Sequence, residues 1–482
     1  MNDDGLQAAQ DKMQAAGVRP VAITVFSHYY GQLKSGATGI IPESTVAPLE
    51  SPPALTDVEL EPRAAREALD RTAVIKLNGG LGTSMGMQRA KSLLQVRDGL
   101  SFLDVIVRQT LAIRRTCGVR LPVMFMDSFR TRDDTLAALS QYDGLGVDGL
   151  APDFLQSLEP KLRADDLIPV EWPPDPDLEW CPPGHGDLYP ALDASGVLSA
   201  LLEAGYRYAF VSNADNLGAV ADARVAGWFA STGSPFAVEV CRRTPADRKG
   251  GHLAVRRSDG QLVLRETAQT ALDDLEALGD ITRHRYFNTN NLWVDLRELE
   301  SALAARHGVL GLPLIRNDKT VDPTDPASPE VVQIETAMGA AVEVFRGSVA
   351  LEVGRSRFLP VKTTNDLLVM RSDAYELDDD FSLHLAASRT DAPYVDLDSR
   401  YYKVMADFDR RFPAGPPSLV DATSMRVEGD WTFGRDVRVL GEAVVEATGS
   451  PGSVADGSDL GTPPGQAAKS ADGLGRKDML GG

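Results

Sequence analysis

Three observations predict an α/β fold followed by a smaller β-rich part. From residue 74 onward, short apolar runs, the first rich in β-branched side chains, alternate with segments whose apolar residues fall at helical spacing. The first of those runs, residues 74–77, breaks into Asn78-Gly79-Gly80-Leu81-Gly82, a glycine loop at a strand end, where open α/β sheets bind their ligands. Near the C-terminus Val427, Phe433, Val439 and Val445 recur every six positions, with Met425, Trp431, Val437 and Ala443 in parallel. That period suits the short coils of a parallel β-helix; plain β-hairpins are the competing reading.

The elements follow in order. Leu6, Ala9, Met13 and Ala16 lie at helical spacing before Pro20, and a second helical segment covers 23–33. Residues 1–55 are therefore expected as a helical N-terminal arm ending in a Pro- and Ser-containing connector. An acidic helix-like stretch, 56–69, delivers the chain to the strand at 74–77. Helices are predicted over 102–115, 131–139, 197–203 and 224–231, and strands over 122–126, 207–212 and 236–241. The Pro-rich stretch 173–183 and the Asp- and Pro-rich stretch 320–329 read as surface loops. Residues 333–341, with several small side chains, read as a packed helix. The large α/β domain is expected over 56–375 and the β-helix segment over 376–447. From 448 to 482 Gly, Ser, Asp and Pro dominate and few apolar residues remain, so a disordered tail is expected.

A formal net charge of −20 argues against a nucleic-acid-binding surface, which needs a positive patch to displace counterions. The same charge repels any anionic substrate, so a phosphate site here needs concentrated Lys, Arg, backbone N–H and a divalent cation. Cys117, Cys181 and Cys241 stand far apart with no CxxC pair, which offers neither a zinc framework nor a disulfide scaffold. An acidic N-terminus and the lack of any membrane-length apolar run lead to the expectation of a soluble, cytoplasmic protein without membrane or nucleic-acid partners.

Several residues stand out for their chemistry. Gly79, Gly80 and Gly82 permit positive φ and close approach, so N–H groups from Leu77 and Asn78 onward can converge on phosphate oxygens. The spacing matches neither GxxxxGK[ST] nor GxGxxG, and a turn that merely reverses the chain is the plainer reading. Lys91 follows as a mobile point charge. Asp215, in SNADNLG after the strand at 207–212, is a strand-end carboxylate of the kind Mg²⁺ takes together with substrate phosphates and waters. An Asx turn is its alternative, and Asn213 is a second polar group there. His185, between Gly184 and Gly186 in PPGHGDLY, can hydrogen-bond a ribose, a sugar or a phosphate, or can simply pin its loop. Gly251 ends a Lys249-Gly250-Gly251 run. Glu266 is either an acceptor for sugar hydroxyls or a solvated strand residue, and Asn288 and Asn290 are closely set amides that can satisfy several hydroxyls together. Lys362 closes RSRFLPVK, where arginines flank an apolar run rather than a helix face.

These motifs, in this order, resemble those of the UTP–glucose-1-phosphate uridylyltransferases. LNGGLGTSMG with a following Lys-Ser is similar to that family's nucleotide loop, and SNADNLG, PPGHGDLY, FNTNNLW and RSRFLPVKT resemble its further motifs across roughly residues 73–445. The resemblance implies a Rossmann-like, GT-A-like nucleotidyltransferase with a mixed sheet and flanking helices, plus a small C-terminal β-helix often used in self-association. It implies a Mg²⁺-assisted reaction of UTP with glucose 1-phosphate giving UDP-glucose and pyrophosphate. Lys91 and Lys362 would be the catalytic cations and Asp215 the metal ligand. Leu77, Asn78, Gly79, Gly80, Gly82, Met126, Gln156 and Gly184 would hold the nucleotide, with Gln156 reading the uracil edge. His185, Asn213, Gly251, Glu266, Asn288 and Asn290 would face the other substrate. Asp127 stands where the family has asparagine, and the Gly-Pro usual before the family's lysine is missing. Two competitors are a uridylyltransferase for N-acetylglucosamine or galactose 1-phosphate and a nucleotide-sugar-binding regulator. Thr83-Ser84-Met85-Gly86 speaks against the first, and Lys91, Asp215 and Lys362 together against the second.

Overall fold

The computed structural model describes residues 4–248 and 250–462. Contacts divide the chain into two units, one of Met1–Gly79, Thr110–Ala214 and Ala219–Phe358, the other of Gly80–Gln109, Asp215–Gly218 and Leu359–Gly482. This division differs from the expected borders at 55 and 375. The glycine loop crosses between units at Gly79–Gly80.

The first unit is built on a mixed ten-stranded sheet. Its strands are β1 (Val46–Pro48), β2 (Thr72–Leu77), β3 (Val123–Asp127), β4 (Asp153–Leu155), β5 (Tyr208–Asn213), β6 (Phe236–Arg242), β7 (His252–Arg256), β8 (Leu262–Arg265), β9 (Tyr286–Asp295) and β10 (Val349–Glu352). β5, β2, β3 and β4 are parallel neighbours in that order. Crossover helices Phe102–Cys117 and Ala223–Thr232 lie where the periodicity predicts them. Alternation of strand and helix alone suggests parallel pairing throughout, but β9 runs antiparallel to both β5 and β6. The buried faces of β2, β3, β5 and β9 form one apolar core with the helices Leu188–Ala194 and Val197–Glu203.

The N-terminal arm is two helices, Asp4–Ala15 and Pro20–Lys34, the second opening on proline, whose missing N–H costs nothing at a first helical position. Ala9, Met13, Phe26, Tyr29, Tyr30 and Leu33 pack with Leu162, Leu314, Val332 and Ile334, so the arm belongs to the first unit's own core. The segment expected as one helix over 56–69 is helical only over Pro62–Asp70, because Pro62 admits no helical residue bonding through it.

Two expectations are corrected. Residues 333–341 are not one helix: Glu330–Thr336 is a strand paired with Leu314–Thr320 across the predicted loop, and only Met338–Glu343 turns, as a 3₁₀ helix. The β-branched Val331, Val332 and Ile334 favour the pleated, buried position over a helix. The expected tail begins later than 448, since Gly452–Val454 and Asp459–Thr462 are strands. Val454 is buried beside Phe433 and Leu460 pairs Val439, so a sparse apolar content suffices when each residue falls in register. Residues 463–482 of that expectation lie outside the described residues.

In the second unit the strands Tyr394–Leu397, Ala422–Val427, Arg438–Val445 and Asp459–Thr462 form an all-parallel sheet, and Trp431–Phe433 pairs Gly452–Val454 in parallel. Met425 lies beside Ala443 and Val427 beside Val445, so the six-residue periodicity maps onto lateral neighbours with their side chains buried. No helix among the described residues is long and apolar enough to cross a membrane.

Candidate active site

The first unit assembles its polar residues at the C-terminal ends of β2, β3 and β5. β2 ends at Leu77, and Asn78 donates its N–H to the Met126 carbonyl at 2.8 Å. The Asn78 amide points inward, donating from Nδ2 to Asp127 Oδ1 at 2.8 Å and to Thr135 Oγ1 at 2.9 Å. Its side chain and its own N–H therefore fasten the start of the loop together. Gly79 is brought against Gln156: a β-carbon there would lie 2.7 Å from Gln156 Oε1. Only glycine lets that amide lie across the loop. Gln156 is itself held by its N–H on the Asp127 carbonyl at 2.8 Å. Met126, expected to line a base pocket, is buried within the apolar core at the end of β3. Asn213, at the end of β5, lies beside Leu77 in the parallel register.

Gly184 has φ +76°, and a β-carbon on it would come 2.7 Å from the Thr336 carbonyl oxygen, so the PPGHGD loop presses its backbone onto that strand. His185 accepts at Nδ1 from the Met338 N–H at 2.9 Å, which in the neutral ring puts the proton on Nε2. Asp187 takes the Ser157 N–H at 2.5 Å, tying this loop to the residue after Gln156. Burial raises the Asp187 carboxyl to about 7 against the pull of that bond.

At the end of β7–β8, Gly251 faces Glu266, whose carboxylate occupies the space a β-carbon would need. Glu266 also opens a capping box with Gln269. Lys249 lies outside the described residues. On β9, Asn290 takes φ +58°, a left-handed conformation within a strand. Such backbone costs on the order of 1 kcal/mol and persists only where neighbours enforce it. Here Asn288 does so: its Oδ1 accepts the Asn290 N–H at 2.9 Å and its Nδ2 donates to Asn290 Oδ1 at 2.7 Å. The two amides form one half-buried polar plate. Next to it along β9 a buried network ties two of the motifs to Glu239, which lies outside any of them. Glu239, fully buried, accepts from Arg357 at 2.6 and 2.7 Å, from Trp293 Nε1 at 3.0 Å and from Asn291 Nδ2 at 3.1 Å.

Lys76 on β2 is a further buried cation, donating to Ser212 Oγ at 2.8 Å and the Ala219 carbonyl at 2.6 Å. Burial, reinforced by the charge of Arg357 and opposed by Glu239, lowers it to about 7.

The second unit holds the cationic half of the predicted set. Gly82 and Gly86 take φ +66° and +72° around a 3₁₀ turn at Thr83–Met85, and the Lys91 N–H returns to the Gly80 carbonyl at 3.0 Å. The stem of Lys91 lies over Gly82, and its Nζ reaches Asp215 Oδ2 at 2.7 Å. Both side chains are about one-fifth exposed, at 17% and 21%. The Asp215 carbonyl accepts the Val361 N–H at 3.1 Å, and Asn216 Oδ1 accepts the Leu359 N–H at 2.8 Å. The segment ending RSRFLPVK thus runs beside the Asp215 loop and presents Lys362, exposed, one residue past Val361.

A glycine loop at the head of a parallel strand, amides at neighbouring strand ends, and a lysine–carboxylate pair following that loop define a nucleotide-binding α/β protein of the nucleotidyltransferase kind. The family model described as UTP--glucose-1-phosphate uridylyltransferase matches residues 23–440, and the chain belongs to that family. It is 39% identical over 411 residues to the UTP--glucose-1-phosphate uridylyltransferase of Solanum tuberosum, covering 85% of this chain and 82% of the relative. The Saccharomyces cerevisiae protein of the same name is 39% identical over 379 residues, covering 78% and 74%. Among solved structures, a Leishmania major UDP-glucose pyrophosphorylase mutant in complex with UDP-glucose superposes with TM-score 0.88 at 43% identity, over 95% of this chain and 98% of that one. A Trypanosoma brucei UDP-glucose phosphorylase gives 0.87 at 42% identity, over 95% and 98%.

Proposed function

We propose that this protein transfers a uridylyl group from UTP to glucose 1-phosphate, releasing pyrophosphate and UDP-glucose. The observation that carries the reading is the Lys91–Asp215 pair beside the Lys362 segment, set on a chain 43% identical to one solved with UDP-glucose. A phosphate oxygen of glucose 1-phosphate attacks the α-phosphorus of UTP in line, the P–O bond to the β-phosphate breaks, and no protein nucleophile is needed. The chain's part is positioning and charge. The backbone from Leu77 to Gly82 holds the triphosphate, with the N–H groups beyond Asn78 as donors, Gln156 and Gly184 hold the nucleoside, and Asn288, Asn290, Glu266, Gly251, Asn213 and His185 the sugar phosphate. Lys91 and Lys362 offset the negative charge that develops on the transferred group and on the departing pyrophosphate.

The donor set fits Mg²⁺. Among the described residues no group of three or more His, Cys, Asp or Glu could hold a metal alone, and Asp215 offers a single, partly exposed carboxylate at a loop. Mg²⁺ takes one or two protein oxygens and fills its remaining positions with phosphates and waters. Held there, the ion would supply charge neutralisation on the phosphate oxygens. Chelation of divalent cations is expected to stop UTP formation from UDP-glucose and pyrophosphate. Asp215→Asn is expected to raise the Mg²⁺ needed for half-maximal rate by about tenfold, a loss of one charged ligand. An unchanged Mg²⁺ requirement would remove Asp215 from the metal.

The parallel strands of the second unit are the first coils of a β-helix in this reading, and a surface for self-association; sedimentation velocity of the whole chain tests the latter. Three free cysteines suit a reducing cytoplasm.

A further inference from the structure

The end of β3 carries a carboxyl group that the reaction above does not use. Asp127 is wholly buried. Its Oδ1 accepts from Asn78 Nδ2 at 2.8 Å, from Thr135 Oγ1 at 3.0 Å and from Thr131 Oγ1 at 3.2 Å. Its Oδ2 is equally buried and has no hydrogen-bond partner. The Asp127 carbonyl takes the Gln156 N–H, and the carbonyl of Met126 before it takes the Asn78 N–H, both at 2.8 Å. One turn of chain thus fastens the first residue of the glycine loop and the glutamine that lies across Gly79. A neutral group keeps the accepting oxygen of this geometry without burying a charge. A carboxylate adds a charge that one of its oxygens can share with no donor, an arrangement that is expensive in a buried setting.

We propose that Asp127 is a positioning residue for the nucleotide whose charge state sets how tightly a phosphate-bearing nucleotide binds. Uncharged, the carboxyl holds Asn78 and Gln156 in place without opposing the phosphates. Ionised, it keeps the same hydrogen bonds but sets a negative charge one residue from the loop that receives them. The inference rests on the reading that Leu77–Gly82 and Gln156 hold the uridine nucleotide.

The surroundings place the change in a useful range. Burial raises the Asp127 carboxyl to about 6, against the hydrogen bonds from Thr135, Asn78 and Thr131. Asp153 on β4 adds to the rise, and its own charge is matched by Arg132 on the helix Arg132–Leu139, 2.5 Å away. On the β2 side the contact is the uncharged Asn78, while the ammonium of Lys76 is directed to Ser212 and Ala219. Asp187, reached through Ser157, titrates separately near 7. Because coupling between sites is reciprocal, a bound diphosphate raises the proton affinity of Asp127 by the factor through which its ionisation weakens binding.

UDP-glucose is the appropriate probe, since its diphosphate diester keeps one charge state from about pH 5.5 to 8. Calorimetric titration of the whole protein is expected to show affinity for UDP-glucose falling by roughly tenfold over that interval, the effect of one nearby screened charge. Asp127→Asn preserves shape and the accepting oxygen. It is expected to bind at pH 8 about as tightly as the wild type does at pH 5.5, with only the slope due to Asp187 and other groups remaining. The same pH dependence in both proteins would overturn the proposal. Asp127→Ala removes the acceptor of Asn78 and Thr135 and is expected to weaken binding at every pH; undiminished binding by it would overturn the positioning role. Absence of UDP-glucose binding by the wild type would overturn the nucleotide reading itself, and this inference with it.

Discussion

Lys91→Ala is expected to lower turnover by about 10²- to 10³-fold, the scale seen when one preorganised group is removed from a developing anion. Thermal unfolding should stay close to that of the wild type. The partition follows from the geometry. Lys91 is partly exposed and its stem lies over Gly82 at the surface of the loop, so its loss opens no cavity in the core. Its Nζ, 2.7 Å from Asp215 Oδ2, is the cation that balances the carboxylate assigned to the metal. Removing it takes positive charge from the phosphates and leaves Asp215 without its partner. Lys91→Arg is not expected to restore the rate, because a planar guanidinium cannot follow a compact ammonium over Gly82. Pyrophosphate release under saturating substrates measures the effect. A rate within a fewfold of wild type would take Lys91 out of the mechanism.

Arg357→Met is expected to cost about 3–5 kcal/mol of stability in chemical denaturation, the range for leaving one member of a buried ion pair uncompensated. Glu239 accepts two bonds from Arg357 and lies wholly buried, with Trp293 and Asn291 as its other donors among the described residues. Water cannot replace the guanidinium there without opening β6 against β9. The damage should reach the Asn288–Asn290 plate as well, because Asn291 adjoins the left-handed Asn290 and donates to both Glu239 and the Arg357 carbonyl. Glu239→Gln is expected to be costly as well, since its NH₂ would face two donors where a carboxylate oxygen accepts, and the buried guanidinium would lose its counter-charge. Equal, small effects from both substitutions would show that the pair contributes little.

The sequence made the active-site strands legible because each carries its signal locally. β2, β3 and β5 are short, mostly apolar runs, and the residues following them are the ones that gather at the strand ends. Asn288 and Asn290 could be read together because two positions along a strand share a face, though the positive φ that joins them could not. The Glu239–Arg357 pair was out of reach: its members are far apart in sequence, and neither glutamate nor arginine announces burial. Asp187 and Lys76 were missed for a related reason, since each reads as an ordinary charged residue until its carboxyl or ammonium is found inside. The 333–341 stretch misled through its small residues, which suit a tightly packed strand and 3₁₀ turn as well as a helix. The strands at Gly452–Val454 and Asp459–Thr462 were hidden because each carries few apolar residues and is placed by parallel pairing with Trp431–Phe433 and Arg438–Val445.

The central claim is tested most directly by pyrophosphate release from the purified protein with UTP, Mg²⁺ and glucose 1-phosphate, beside tubes containing N-acetylglucosamine 1-phosphate and galactose 1-phosphate. Rapid release with glucose 1-phosphate and little with the other two is the predicted result. Preference for another sugar would keep the lysines and Asp215 in their roles but contradict the use made of Asn288, Asn290 and Glu266. No release with any of the three, while UDP-glucose still binds, would contradict the enzymatic account and leave a nucleotide-sugar-binding protein.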